Sequence, residues 1–391
     1  MVSGWVKPEP WMLDTVADTL GMSRDRVERL ASRRIIRFRS FRGLLYASLK
    51  REVSKYPEGT VVIIGRGWGR LIYGYPPIRR IVLPEVALPK YFIDKVVVEE
   101  KLNGYNVRVV MLDDHLYALT RGGYICPYTT SRIDRELGEK LRELLFELGP
   151  EDHVVAGEVV GLENPYTRHY YREAPKFGYF VFDILRGDHF LPPRFREEMT
   201  AKHGISQAPI LAVIDKNDME TFRTIIDRLE REGREGVVLK DPSYRVRPLK
   251  YTTHYTNIED IRIGMKFFFE EGMEFVKSRL LREIFMAYSK KLEEDDLEKL
   301  ALELGMAALK PAIDAVREVA AGESIYEEFT LVFNNYAELK EFIEYMSEMG
   351  VNLTLIYTKK NREGIAAKLR KIRETSIHIR RILETGLAPI D

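Results

Sequence analysis

Cysteine is nearly absent: Cys126 is the only one in 391 residues. A single thiol excludes an intrachain disulfide and any multi-cysteine metal cluster, and it suits a reducing compartment. Long apolar runs are missing as well. None approaches the roughly 20 residues that span a bilayer, and MVSGWVKPEPWMLD at the start lacks the charged and apolar blocks of a signal peptide, so a cytoplasmic protein is expected. Net charge is close to nil, at +1, although 31% of residues are charged. Any nucleic-acid surface must therefore be a local patch. Glutamine occurs once, at Gln207, amid abundant Arg, Lys and Glu, a bias that fits a protein of a hot environment. Familiar catalytic signatures are also missing: Gly-Lys never occurs, which excludes a P-loop, and neither an HExxH pair nor a GxSxG elbow is present. GRGWG at Gly65 to Gly69 lacks the G-x-G-x-x-G spacing and reads as a turn.

What is there falls into four stretches. Apolar residues at helical spacing predict a helix from about Met12 to Leu30. In RVERLASRRIIRFRSFRG, arginines 26, 29, 33, 34, 37, 39 and 42 interleave with Phe38 and Phe41. That pattern suits either a phosphate-contacting face with stacking rings or a solvated strand. From Gly59 to about Tyr255, short apolar runs broken by Gly and Pro (TVVIIG, RLIYGYPP, KVVVEE, VRVVML, HVVAGEVVG, GYFVFDIL, GVVLK) predict strands, with helices at Arg132–Leu148 and Asp218–Gly233. The class that follows is α+β, built on antiparallel sheets. After Asn257, strands give way for some sixty residues to helical hairpins, apolar enough to pack on a second subunit. From Glu327 the expected order is strand, helix, strand, then a helix from about Glu363 to Leu383, a small α/β domain.

One lysine stands out. Lys101 ends the apolar run VVVEEK and is followed three residues later by Gly104, a turn that would aim its amine into whatever cleft the sheet forms. Lysine is a poor nucleophile at its free pKa of about 10.4, so a catalytic role needs desolvation or neighbouring cations. Arg121, Lys240 and Lys250 are candidates. By itself KxxG would more often mark a strand end facing solvent.

Six elements in order make it more than that. EKLNGYN at Glu100–Asn106, TRGG at Thr120–Gly123, GEVVG at Gly157–Gly161, FVFDIL at Phe180–Leu185, EGVVLK at Glu235–Lys240 and RPLKY at Arg247–Tyr251 resemble the motifs of the covalent nucleotidyltransferases, the superfamily of ATP-dependent ligases and capping enzymes. Within it the chain most resembles the archaeal ATP-dependent RNA ligases, a homodimeric group that joins and circularises single-stranded RNA. Asn103 and Asn106 stand where DNA ligases carry aspartate and arginine. After Tyr251 the chain continues into helices and a small α/β domain instead of an OB-fold barrel.

The resemblance implies an N-terminal basic domain (1–65), a central nucleotidyltransferase domain of ATP-grasp-like ligase type (66–255), a helical dimerisation domain (256–322) and a C-terminal α/β domain (323–391). It implies Lys101 as the nucleophile on ATP, giving a lysyl-AMP that passes to an RNA 5′-phosphate before a 3′-hydroxyl seals the strand. Phe182 would be the adenine platform, with a core phenylalanine as the bland alternative. Glu158 would take ribose hydroxyls or hold a metal through water, and Glu235 would face magnesium or manganese. Glu100 and Asn106 belong to the nucleotide-binding set, Asn106 to bond ribose or the incoming phosphate; Asn103 shapes the turn. Arg121 would contact ribose or RNA phosphate, or be a surface-hairpin arginine. Lys240 and Lys250 are the expected phosphate cations, although the family's two lysines two residues apart are replaced here by Pro248 and Lys250. The competing readings are a DNA ligase, a guanylyl capping enzyme and a non-catalytic RNA-binding protein.

Overall fold

The computed structural model describes residues 4–388. The first three residues of the expected basic domain and the last three of the expected C-terminal domain lie outside them. The secondary structure is α+β throughout, and the backbone gathers into two compact units, each assembled from separated segments.

The first unit comprises the chain up to Pro77, Asn103–Ala208 and Phe329–Lys368. It holds two five-stranded sheets. One is an antiparallel meander of Gly4–Trp5, Ile36–Phe41, Leu44–Leu49, Val61–Gly65 and Trp68–Ile72. Its inner face closes over Met12, Val16, Val27, Phe38, Ala47 and Val62, all nearly inaccessible. The expected single helix from Met12 to Leu30 is in fact two, Pro10–Leu20 and Arg24–Ser32. The break comes at Gly21, whose left-handed φ of 57° ends the first helix. The second sheet has the order His189–Phe190, Gly178–Arg186, His153–Val160, Tyr105–Leu112, His115–Thr120, with every neighbour antiparallel. Helix Pro127–Leu148 begins five residues earlier than its expected start, because Pro127 sits in the first turn, where a missing N–H costs nothing.

The basic stretch is not a row of stacking rings and free arginines. Phe38 and Phe41 are core residues, and Arg39 is buried against the rings of Trp5, Tyr124 and Tyr345 with Glu348 as its ion-pair partner. Arg42 pairs with Glu341 at 2.8 Å, and Arg37 donates to the Tyr124 hydroxyl. Alternation puts Ile36 and Phe38 on the inner face, while Phe41 falls on the opposite face with Arg37 and Arg39 and is buried there edge-on to Tyr117, ring centroids 6.2 Å apart. Arginines 26, 29, 33 and 34 remain exposed on and after the second helix.

The second unit comprises Ile78–Leu102, Pro209–Glu328 and the chain from Leu369. Its sheet has the order Ile210–Asp215, Lys95–Lys101, Gly236–Lys240, Leu249–Thr252, Arg79–Arg80, antiparallel except for the last pair. One face is the core: Val96, Val98, Val237, Leu239 and Leu249 pack on Phe222, Ile225, Ile226 and Leu229 of helix Met219–Arg231. Asp218 caps that helix through the Thr221 amide, as its expected start at Asp218 implies. Three helices follow without a strand between them, His254–Lys266, Met273–Lys290 and Glu294–Ala320.

Tyr326–Phe333, Gly364–Ile372 and Thr354–Asn361 make a three-stranded sheet in that order. The expected helix from Glu363 to Leu383 is therefore a strand followed by a shorter helix, Thr375–Thr385. Ile365, Ala367 and Leu369 are buried while their neighbours are not, a period of two that fits a strand and not a helix. No helix among the described residues is long and apolar enough to cross a membrane.

Candidate functional site

The polar face of the second unit's sheet carries most of the predicted cations. Residues opposite each other in an antiparallel pair share a face, so register alone places them. Lys101 lies opposite Gly236, Glu99 opposite Val238, and Val97 opposite Lys240, while Val238 and Gly236 lie opposite Lys250 and Thr252 of the next strand. Lys101, Glu99, Lys240, Lys250 and Thr252 therefore crowd the face that the core leaves free. Lys101 Nζ donates to Glu235 Oε2 at 2.7 Å, with both side chains partly exposed. Lys240 Nζ donates to Glu99 Oε1 at the same distance, but here both residues are only 1% exposed. One lysine is thus reachable from solvent and the other is sealed, although each is held by a carboxylate.

Glu100 follows the opposite parity. It is buried on the other face and faces Arg234 at 3.5 Å, so the structure separates it from the Lys101 side of the sheet. Arg80, on the edge strand and in register with Lys250, donates to Thr252 Oγ1 at 2.7 Å. Nothing in the local sequence singled it out; it reaches the face only through a parallel strand pairing about 170 residues away in the chain.

The first unit holds the remaining predicted residues on its second sheet. Glu158 lies opposite Asn106 on one side and Phe180 on the other, a row across three strands. Asn106 Oδ1 is buried and lacks a hydrogen-bond partner among the described residues. Such an atom is costly unless something pairs with it. Gly104 supplies the close approach at the start of this strand: a Cβ there would sit 2.1 Å from the Val159 carbonyl oxygen. The Asn103 backbone amide donates to the Tyr171 hydroxyl at 2.6 Å, a bond that ties the turn and does not depend on the asparagine side chain.

Phe182 sits at a β-bulge. Ala156 pairs with Asp183 and Gly157 with Val181, so the phenylalanine is the extra residue between them. Its half-buried ring meets Tyr75 edge-on at 5.2 Å, and the Tyr75 hydroxyl donates to Asp183 Oδ2 at 2.6 Å. Tyr75, within the YGYPP segment read only as part of a strand, is thus a support that sequence reasoning did not find. Arg121 is exposed on the turn after Thr120. Beneath it, Arg108 is wholly buried on the carbonyls of Tyr73, Gly59 and Thr120, and burial draws its pKa down to about 10.

The donor set suits a nucleoside triphosphate and a hard cation. On the second unit Lys101 and Lys250 carry charge that a phosphate could use, whereas Lys240 is sealed on Glu99; on the first unit Asn106 Oδ1 is an unmet acceptor among the described residues. Among the described residues no three His, Cys, Asp or Glu side chains form a metal cage. Magnesium asks for one or two carboxylates and completes its shell with phosphate oxygens and water; Glu158 on the first unit and Glu235 on the second are the carboxylates expected for it.

Comparison with known proteins agrees in extent and in kind. A family model described as RNA ligase matches residues 94–252, and one described as the C-terminal region of ligase Pab1020 matches residues 263–386. The uncharacterized protein MJ0414 of Methanocaldococcus jannaschii is 37% identical over 93% of both chains. Two solved forms of an archaeal ATP-dependent RNA ligase each share 31% identity with a TM-score of 0.88, over 97% of this chain and 100% of theirs. A structure from Aquifex aeolicus, provisionally described as an ATP-dependent DNA ligase, shares 28% identity with a TM-score of 0.85, over 94% of this chain and 100% of its own.

Proposed function

The chain belongs to the family of archaeal ATP-dependent RNA ligases, and from that premise we propose that it joins RNA ends through a lysyl-AMP intermediate on Lys101. The observation that carries this reading is the partly exposed Lys101 amine at the end of its strand, paired with Glu235 at 2.7 Å and sharing a face with Lys240 and Lys250.

Lys101 Nζ attacks the α-phosphorus of ATP. A phosphorus–nitrogen bond forms, the bond to the pyrophosphate oxygen breaks, and the amine proton departs. Attack requires the nitrogen lone pair, so the Lys101 ammonium first gives a proton to Glu235 Oε2, 2.7 Å away, or to water, and the amine then turns from that carboxylate to the phosphorus. Glu235 and Glu158 are the carboxylates that would take magnesium or manganese, which supplies charge neutralisation at the phosphate oxygens. Lys250 is assigned to the phosphates, Lys240 would have to leave its sealed pair with Glu99 to reach one, and Asn106 is assigned to the ribose or the incoming phosphate. Phe182 presents a ring for adenine to stack on. The adenylate then passes to the 5′-phosphate of RNA, and the 3′-hydroxyl displaces AMP. Single-stranded RNA that meets its own end is circularised.

The chain is proposed to act as a homodimer. Leu302, Met306, Leu309 and Ile313 form an exposed stripe on helix Glu294–Ala320, and Leu281, Ile284 and Tyr288 form another on helix Met273–Lys290. Stripes of that spacing are what a partner helix covers.

A DNA ligase is the second reading, favoured by the Aquifex likeness. The helical tail does not decide between them, since that structure matches over its whole length. Asn103 and Asn106 favour RNA. The experiment is incubation with ATP labelled at the α-phosphate, magnesium, and 5′-phosphorylated RNA or DNA of equal sequence. Wild type should take label at Lys101 and convert RNA to circles, while Lys101→Ala takes none. Label on the alanine variant would show the nucleophile to be misassigned, and joining of DNA alone would favour the second reading.

A further inference from the structure

Beside the Lys101–Glu235 pair, three arginines gather that no motif accounts for. Arg279 and Arg282 lie one turn apart on helix Met273–Lys290, and Arg80 comes from the edge strand of the Lys101 sheet. Arg279 is committed: it donates to Asp260 Oδ2 at 2.8 and 3.0 Å and lies over the Phe275 ring at 3.6 Å. The other two rest on neutral oxygens. Arg80 donates to Thr252 Oγ1 at 2.7 Å and Arg282 to Asn257 Oδ1 at 2.9 Å, and Thr252 and Asn257 bond each other at 3.3 Å. Among the described residues neither arginine has a carboxylate within 4.0 Å.

The local charge is unbalanced. Lys101, Arg80, Arg279 and Arg282 face Glu235 and Asp260, and the next carboxylate, Glu283, is taken by His254 and Asn257. Arg80 and Arg282 are half-buried. The Arg282 pKa is pulled down to about 10, first by burial and then by Arg80 and Arg279. Arg80 is lowered in the same way, by burial first, with Glu235 opposing. Gathering like charges out of water is unfavourable unless an anion shares the place. A planar guanidinium presents two parallel donors, the geometry that a phosphate accepts. Thr252 lies opposite Gly236, which lies opposite Lys101, so the arginines occupy the nucleophile's end of the sheet.

We propose that Arg80 and Arg282, braced by Arg279, form a binding site for a terminal phosphate group, supplied by the pyrophosphate end of ATP or by the 5′-phosphate of RNA. This rests on the ligase reading and assigns two more residues to its substrates. Thr252 and Asn257, bonded to each other, each hold one of the two guanidinium groups, so that an arriving phosphate finds donors already placed.

The test is calorimetric titration of the full chain with inorganic pyrophosphate, together with fluorescence anisotropy of one RNA oligonucleotide bearing a 5′-phosphate or a 5′-hydroxyl. Wild type should bind pyrophosphate, prefer the phosphorylated end, or both. Arg80→Gln and Arg282→Gln should each weaken the relevant binding by roughly tenfold or more, with Arg282→Lys retaining part of it and thermal unfolding within a few degrees of wild type. Loss with pyrophosphate alone assigns the site to the leaving group; loss of the 5′-phosphate preference alone assigns it to RNA. The proposal is overturned if wild type shows neither binding nor preference, or if folded glutamine variants match wild type with both probes. Label transfer to Lys101 in the same preparations reports on the ligase reading separately, since the lysine can be adenylylated whether or not this site exists.

Discussion

A buried acceptor without a partner is an unusual thing for a folded chain to keep, and Asn106 keeps one. If its oxygen awaits a ligand, removing it should cost the fold nothing and the reaction a good deal. Asn106→Ala should therefore unfold at or slightly above the wild-type temperature while Lys101 adenylylation slows roughly tenfold; a variant that is destabilised but fully active would return Asn106 to a structural role. Glu99 should behave in the opposite way. Its pair with Lys240 is 1% exposed on both sides, and deleting one partner of a buried pair typically costs about 3–5 kcal/mol. Urea unfolding of Glu99→Ala should show a loss of that order, and a loss under about 1 kcal/mol would mean that the pair is not what secures the strand. The motif residues could be read from sequence because each motif is a contiguous run. Arg80, Arg282 and Tyr75 could not, because a strand pairing, a helix contact and a segment crossing over place them, and none of these leaves a local mark.

At the scale of elements, His254 opens helix His254–Lys266 and ties it to the two helices that follow. Its ring bonds Glu283 at 2.5 Å and Glu303 at 3.0 Å, while Glu230 accepts from its amide. The Glu283 hydrogen bond, opposed in part by burial, raises the His254 pKa from 6.5 to about 9. A pKa higher in the folded than in the unfolded chain gives stability that is complete below about 6.5 and fades as pH passes about 9. Unfolding measured from pH 6.5 to 9.5 should show a decline of the order of 2–3 kcal/mol, absent in His254→Gln. An equal slope in both would place the titration elsewhere. The same scale shows where sequence patterns misled. Residues 364–372, GIAAKLRKI, are rich in helix formers. Their burial nonetheless alternates, because the strand has neighbours to pair with, and pairing outweighs a propensity of a few tenths of a kcal/mol per residue. The helix Met219–Arg231 was legible, since its cap, its length and its single apolar face all agree.

For the whole molecule, the exposed stripes on the two longest helices of the second unit bear on assembly. Ile284 is 62% exposed and Leu302 67%, and large apolar residues left bare at helical spacing favour association. Sedimentation at micromolar concentration should give a dimer, and Ile284→Asp with Leu302→Asp should give a folded monomer. A monomeric wild type would remove the dimer from the account. Overall class and the order strand-rich then helical were legible from composition shifts along the chain. How each compact unit collects segments from distant parts of the sequence was not, since no local period encodes it.

The bulge at Phe182 carries one more implication. Dropping that single position would let Val181 and Asp183 follow one another against Gly157 and Ala156 without interruption, leaving a smoother ladder and a chain that is easier to fold. What vanishes is the half-buried ring that meets Tyr75 and that is proposed to receive adenine. If the ring does serve the reaction, a chain shortened by this one residue should fold at least as well as wild type and take label at Lys101 more slowly.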